Sequence, residues 1–235
     1  MPPPVRVAPE ELARIERFIA AFNALDNWLQ SQPEAPPTFR SSVDWWARQH
    51  PYWHDAEDLR LFATLRNFLV HEKTRAFDYP CVPSESATRH IEAIRDRLLH
   101  PTTIGAVFGR DVMILRSDDT LEAALKTMKA RDFARFPVYD GDKFVGVFGE
   151  RDIARSLSEF VARGEVLSPQ TPIGALLGRE RKRQTYRFAS PHIPVAQAAY
   201  WFGENTFLEV ILIASQPGQR PSGIVTRGDV AGWSE

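Results

Sequence analysis

The chain is short of the features that would commit it to several classes of protein. It has one cysteine, Cys81, so it can form neither an internal disulfide nor a zinc site built on several thiolates. Neither sign of charge is in excess: 29 Lys and Arg stand against 30 Asp and Glu, a net charge of −1. A strongly basic nucleic-acid module and an acidic tail are therefore excluded. No apolar run approaches the roughly 20 residues that span a bilayer. The opening segment MPPPVRVAPEELARIE has no apolar signal core, and the expectation is a cytoplasmic protein with no membrane partner. What is present is ordinary globular composition, 43% hydrophobic and 25% charged, and 235 residues allow one large domain or two small ones.

The pattern changes near residue 100. Before it the apolar period is helical. Leu12, Ile15, Phe18, Ile19, Phe22, Leu25, Trp28 and Leu29 recur every three or four residues, the spacing of one helix face. Pro9, Glu10 and Glu11 suit a first helical turn. Leu59, Phe62, Leu65, Phe68 and Leu69 form a second stripe; Ala87, Ile91, Ile94 and Leu98 form a third, with Ser84 as N-cap and Pro101 past its end. A shorter helix containing Trp46 is expected after Ser42. Four of the six tryptophans, Trp28, Trp45, Trp46 and Trp53, lie in this helical bundle. Trp45 and Trp46 read as core or dimer contacts, His50 and His54 as loop packing, and Cys81 as a small buried hydrophobe.

After residue 101 strands and helices alternate. DVMILR, Asp111–Arg116, is a strand candidate, and Asp119 is expected to cap a helix from Thr120 to Arg131. Phe136–Tyr139 and Lys143–Phe148 flank Asp140-Gly141-Asp142, a hairpin signal. A helix through Ile153 to Val161 follows Asp152. The basic run Arg179, Arg181, Lys182, Arg183 and Arg187 reads as a solvated loop. A repeat emerges when Thr120–Val138 is laid over Pro194–Leu212: Leu121 meets Val195, Ala124 meets Ala198, Met128 meets Phe202 and Phe133 meets Phe207. With extra residues allowed in the Ser215–Ser222 loop, GVFGERD from Gly146 to Asp152 lies over GIVTRGD from Gly223 to Asp229. Neither copy can bury a sheet face alone, so the two should pack face to face with clefts along their boundary.

The segment DVMILRSDDTLEAALKTMKARDFARFPVYDGDKFVGVFGERDIARSL, with VAQAAYWFGENTFLEV and GIVTRGDVAGW in the second copy, resembles a pair of cystathionine-β-synthase-type (CBS) motifs over residues 103–235. The resemblance implies an adenine nucleotide (AMP, ADP or ATP) as regulatory ligand between the copies, and no metal. It implies a site formed by Gly223, Thr226, Arg227 and Asp229. A carboxylate such as Asp229 can accept from two ribose hydroxyls. Thr226 can bond a hydroxyl or a phosphate oxygen, Arg227 can balance phosphate charge, and Gly223 admits close approach to the backbone. Spacing alone leaves a second reading open, in which Thr226 caps the helix and Asp229 completes a capping box. The first copy keeps Asp152 but has Gly149 in place of the hydroxyl residue. Loss of that contact, worth about 1 kcal/mol, leads to the expectation of one competent site at Thr226–Asp229 and a weaker one at Asp152.

Within the helical half, Arg66-Asn67-Phe68-Leu69-Val70-His71 resembles the signature of the HEPN superfamily over residues 9–100. That resemblance implies a homodimer and, in an alternative function, a metal-independent ribonuclease with RNA as partner and Arg66, Asn67 and His71 as catalytic residues. His71 suits proton transfer near neutral pH and Arg66 suits stabilisation of phosphorane charge. Asn67 and His71 share a helix face, whereas Arg66 and His71 are about 140° apart on an ideal helix. Structural roles for Arg66 and His71 within the bundle remain the other reading. The fold expected is α+β: an all-α HEPN-like domain over 1–100, then an α/β CBS pair over 101–235, with copies at 103–163 and 164–235. The first functional expectation is an adenine-nucleotide-sensing regulatory protein that signals to its helical domain. The ribonuclease and a dimerising scaffold without ligand are the alternatives.

Overall fold

The computed structural model describes residues 7–71, 79–131, 135–177 and 185–233. The chain divides into two compact units, Met1–Thr102 and Thr103–Glu235.

The first unit is helical. Helix α1, Pro9–Gln30, begins with proline in its first turn, and the Glu11 carboxylate accepts from Ala8 N–H at 2.9 Å. It buries Ile15, Phe18, Ala21, Phe22, Leu25 and Leu29, the stripe visible in the sequence. Helix α2, Phe39–Gln49, starts earlier than expected. Thr38 is its cap, accepting from Ser41 N–H. Ser42 is buried instead, donating to Pro36 O and accepting from Gln30 Nε2, both at 2.8 Å. Helix α3, Ala56–His71, contributes buried Leu59, Phe62, Ala63 and Leu69. Helix α4, Glu85–Leu99, is capped by Ser84 and buries Ile91, Ile94 and Leu98. Phe18 and Phe62 meet edge to face at 5.6 Å. Arg17 of α1 clasps α4 through Glu92 at 2.6 Å and Glu85 at 3.2 Å.

The second unit contains two three-stranded sheets of the same order. In the first, β1 (Leu115–Arg116) runs parallel to β2 (Arg135–Asp140), which pairs antiparallel with β3 (Lys143–Gly149). In the second, β4 (Tyr186–Ala189) runs parallel to β5 (Val210–Ile213), which pairs antiparallel with β6 (Gly223–Thr226). Helices α6 (Leu121–Arg131) and α9 (Val195–Glu204) make the parallel crossovers; α7 (Glu150–Ala162) and α10 (Arg227–Ala231) follow the third strands. Gly141 supports the tight β2–β3 turn at φ 58°, a conformation that glycine adopts without strain. No helix among the described residues is long and apolar enough to cross a membrane.

The short helices α5 (Ile104–Phe108) and α8 (Ile173–Leu176) change places between the copies. Ile104 N–H donates to Ile193 O at 2.8 Å and Gly105 N–H to Pro191 O at 2.9 Å, and Ile104 joins the core of Val195, Ala198, Phe202, Ile213 and Val225. Symmetrically, Ile173 N–H donates to Asp119 O and Gly174 N–H to Ser117 O, both at 2.9 Å. Ile173 and Leu176 join the core of Leu115, Leu121, Phe136, Val138 and Phe148. Each copy thus fills its apolar face with the leading helix of the other. This exchange shortens β1. Gly109 bridges to Gly223 and Arg110 N–H donates to Ser222 O, so the chain is still leaving the second sheet where a strand was expected from Asp111. At the next corner Thr120, not Asp119, caps α6, accepting from Ala123 N–H at 3.2 Å. The Asp119 carboxylate instead turns back onto Arg116 N–H at 2.8 Å.

Candidate functional site

The end of β6 and the start of α10 hold the second-copy motif. The Thr226 hydroxyl donates to Asp229 Oδ2 at 2.7 Å, Thr226 N–H donates to the same oxygen at 2.7 Å, and Asp229 N–H returns a bond to Thr226 Oγ1 at 3.3 Å. The capping box therefore forms. It fixes one carboxylate oxygen and leaves Oδ1 without a hydrogen bond among the described residues, with Arg110 Nη2 as the one cation of those residues near it, at 3.9 Å. Asp229 has a side-chain exposure of 26%, enough for a ligand to reach it. Thr226 acts by orienting Asp229, since its own hydroxyl is committed.

Two other members of the expected set have different roles. A Cβ on Gly223 would lie 2.7 Å from both Phe108 O and Ile213 Cδ1. Glycine is required there by the approach of α5. Arg227 is turned towards the end of α9, donating to Asn205 O at 3.3 Å with its guanidinium carbon 5.6 Å from the Phe202 ring centroid. It does not face Asp229. The sequence reading missed Arg110, because aligning the repeats kept residues 103–163 together and hid the exchange of α5.

The first copy is arranged differently around the same carboxylate. Gly149 N–H donates to Asp152 Oδ2 at 3.0 Å, as Thr226 N–H does in the second copy. Oδ1, however, is taken by Arg155 Nη2 at 2.6 Å, which also donates to Leu176 O at 3.2 Å. Arg151 is drawn to Glu209 at 3.3 Å, and Glu209 also accepts from Arg135 at 2.8 Å. Asp152 is thus closed by a cation of its own helix. A shallow depression of about 440 Å³ lies in this copy, with Ser117, Asp118, Asp140, Val145 and Leu177 in its lining. Two carboxylates there oppose a phosphate, and neither Asp152 nor Asp229 belongs to it.

In the helical unit Arg66 lies 5.7 Å from the Phe22 ring centroid of α1, its Nη1 reaches Asn67 Oδ1 at 3.5 Å, and its Nε is buried without a hydrogen-bond partner among the described residues. Burial pushes the Asp26 carboxyl above its ordinary range, against the pull of the Arg66 charge. Arg66 is therefore engaged with α1, and Asn67 is exposed. His71 ends α3, and its side chain, like the run Arg179–Arg183, lies outside the described residues. His50 stacks on Trp46 at 3.6 Å and bonds Trp46 O at 3.0 Å, so it serves packing. Among the described residues no group of three or more His, Cys, Asp or Glu is placed to hold a metal.

Comparison with known proteins places part of this arrangement. Residues 104–159 match the family model of the CBS domain. No curated protein matches the chain. Similar solved structures include the CBS domain of a CBS domain containing membrane protein from Sphaerobacter thermophilus, 24% identical over 63% of this chain and 96% of that one, with a TM-score of 0.45. A second is a putative acetoin utilization protein from Vibrio cholerae, 19% identical over 56% of this chain and 88% of that one, with a TM-score of 0.44. A third is CBSX2 in complex with AMP, 18% identical over 55% of this chain and 92% of that one, with a TM-score of 0.41. The family match lies wholly within the second unit, and the HEPN-type reading of the helical unit is not supported by it. The chain carries a CBS domain at residues 104–159.

Proposed function

We propose that this protein is a regulatory sensor of an adenine nucleotide (AMP, ADP or ATP), bound at Thr226–Asp229 in the second copy and signalled to the helical unit. The observation that carries the reading is the state of the Asp229 carboxylate. Oδ2 is held by Thr226 through two bonds of 2.7 Å, while Oδ1 is left open. A carboxylate fixed in this way is a preorganised acceptor for the vicinal hydroxyls of a ribose. Signalling requires that the ligand bind one arrangement of the protein more tightly than another. The reading includes a homodimer, which both sequence resemblances imply.

Calorimetry with AMP tests the site. Asp229→Asn keeps the shape but removes the charged acceptor, and should weaken binding about tenfold or more. Asp152→Asn should change it by less than about twofold, since that carboxylate is already bonded to Arg155. Equal affinity in wild type and Asp229→Asn removes the assignment.

A further inference from the structure

Arg110 reaches Asp229 from outside the second copy's own motif. It follows α5, the exchanged helix, and is anchored beside β6 by its backbone bond to Ser222 O at 2.9 Å. Its guanidinium donates to Ile224 O at 3.3 Å and stands 3.9 Å from Asp229 Oδ1. Both contacts are long beside the 2.7–2.9 Å usual for charge-assisted bonds, and the side chain is 47% exposed. A guanidinium offers five donors in a planar fork, and among the described residues Arg110 uses it for one long bond to a carbonyl. The motif's other cation, Arg227, makes a bond of the same length, but to Asn205 O at the end of α9 and against the Phe202 ring rather than beside Asp229 Oδ1.

We propose that Arg110 is the anion-binding residue of this site, so that the site takes a 5′-phosphorylated adenosine in preference to uncharged adenosine. This rests on the reading of Asp229 as the ribose acceptor. A ribose seated on Oδ1 would stand beside a long side chain whose charged end already lies within 4 Å of that oxygen. The planar fork matches a phosphate bidentately. Arg110 also offsets the charge of Asp229, which would otherwise repel an incoming anion. Among the described residues the first copy shows no such guanidinium left over beside its carboxylate, because Arg155 is bonded at once to Asp152 and to Leu176 O. Arg110 also lies on the segment that enters this unit directly from Thr102, the last residue of the helical unit. The residue that reads the phosphate is therefore joined to the helical unit by a short stretch of chain.

The experiment is calorimetry on the full-length protein with AMP and adenosine as paired ligands, comparing wild type with Arg110→Gln, Arg110→Lys and Asp229→Asn. Wild type should bind AMP more tightly than adenosine. Arg110→Gln should weaken AMP about tenfold or more while changing adenosine by less than about twofold. Arg110→Lys should retain part of the preference, and Asp229→Asn should weaken both ligands. An unchanged AMP affinity in Arg110→Gln, or an equal loss of both ligands, overturns the role of Arg110 and leaves Asp229 standing. Wild type that binds neither ligand removes the nucleotide reading itself, and this role with it.

Discussion

The two copies of the second unit hold the same carboxylate in the same place and put it to different use. In both, the backbone N–H three residues earlier fixes Oδ2: Gly149 to Asp152 at 3.0 Å and Thr226 to Asp229 at 2.7 Å. The copies part at Oδ1. In the first, Arg155 sits one turn along α7 and closes it at 2.6 Å. In the second, the matching position is Gly232, just past the end of α10, which has no side chain to offer. Asp229 keeps an open oxygen because its helix has nothing to close it with, and the cation nearby comes from Arg110 instead. The difference teaches that a repeated motif identifies a candidate site, while the residue one turn further on decides whether it is vacant. A buried or half-buried carboxylate bonded to its own arginine is stable where it is and has little to gain from a ligand.

The strongest way to break the comparison is to give the second copy the closing residue of the first. Gly232 has αR backbone angles, φ −86° and ψ −6°, and an added Cβ there would make only ordinary or slightly tight contacts, 3.4 Å to Gly228 O. Gly232→Arg should therefore fold normally, place a guanidinium on Asp229 Oδ1 and weaken AMP about tenfold or more by calorimetry. Binding that stays intact would show that an arginine at this position does not close the site. The converse is a smaller effect. Arg155→Ala combined with Gly149→Thr frees Asp152 and supplies the missing hydroxyl, and the stoichiometry of nucleotide binding should rise from about one to about two per chain. The second affinity should be the weaker, because Arg151 remains drawn to Glu209. Arg155→Ala by itself should lower thermal stability modestly, by about 1 kcal/mol, since the pair it breaks is partly solvated.

Much of this was legible in the sequence because it depends on local pattern. The stripes of α1, α3 and α4 follow the helical period, Ser84 and the Asp140–Asp142 turn are local signals, and the repeat matches β3 to β6; it sets β2 one residue out on β5, laying Val138 over Leu212 where the pairings with Gly146 and Gly223 equate Val138 with Ile213. Both carboxylates and the missing hydroxyl at Gly149 were visible as well. What was hidden is non-local. The exchange of α5 and α8 leaves no trace in periodicity, since Ile104 and Ile173 would look apolar in either copy. Arg110 is therefore invisible as a neighbour of Asp229, and so is the approach of Phe108 O that requires glycine at position 223. The motif puts Arg227 beside the phosphate, and the non-local contact it makes with Asn205 O at the end of α9 is not visible in the sequence. Cap identity failed for a smaller reason. Thr38 and Ser42, like Asp119 and Thr120, are all competent caps, and the choice is made by where the preceding loop runs.

The finest test concerns the one atom group by which the motifs differ at their first position. Thr226→Gly would make the corner of the second copy like that of Gly149. The first copy shows that a backbone N–H alone holds the carboxylate: Gly149 keeps Asp152 Oδ2 at 3.0 Å without any hydroxyl. Asp229 should accordingly stay oriented by the Thr226-position N–H, and only the hydroxyl bond to Oδ2 is lost. The freed lone pair on Oδ2 becomes available to the ligand, which offsets part of the loss. Helix α10 also loses its side-chain cap, but glycine is a tolerated N-cap and the cost is a few tenths of a kcal/mol. The net effect on AMP binding should be a weakening of no more than about fivefold, equivalent to about 1 kcal/mol. Thr226→Ser, which keeps the hydroxyl, should bind as wild type does. If Thr226→Gly instead abolished binding while Asp229→Asn did not, the hydroxyl and not the carboxylate would be the ligand's anchor. The contrast between an open Asp229 and a closed Asp152 would then have no bearing on which copy binds.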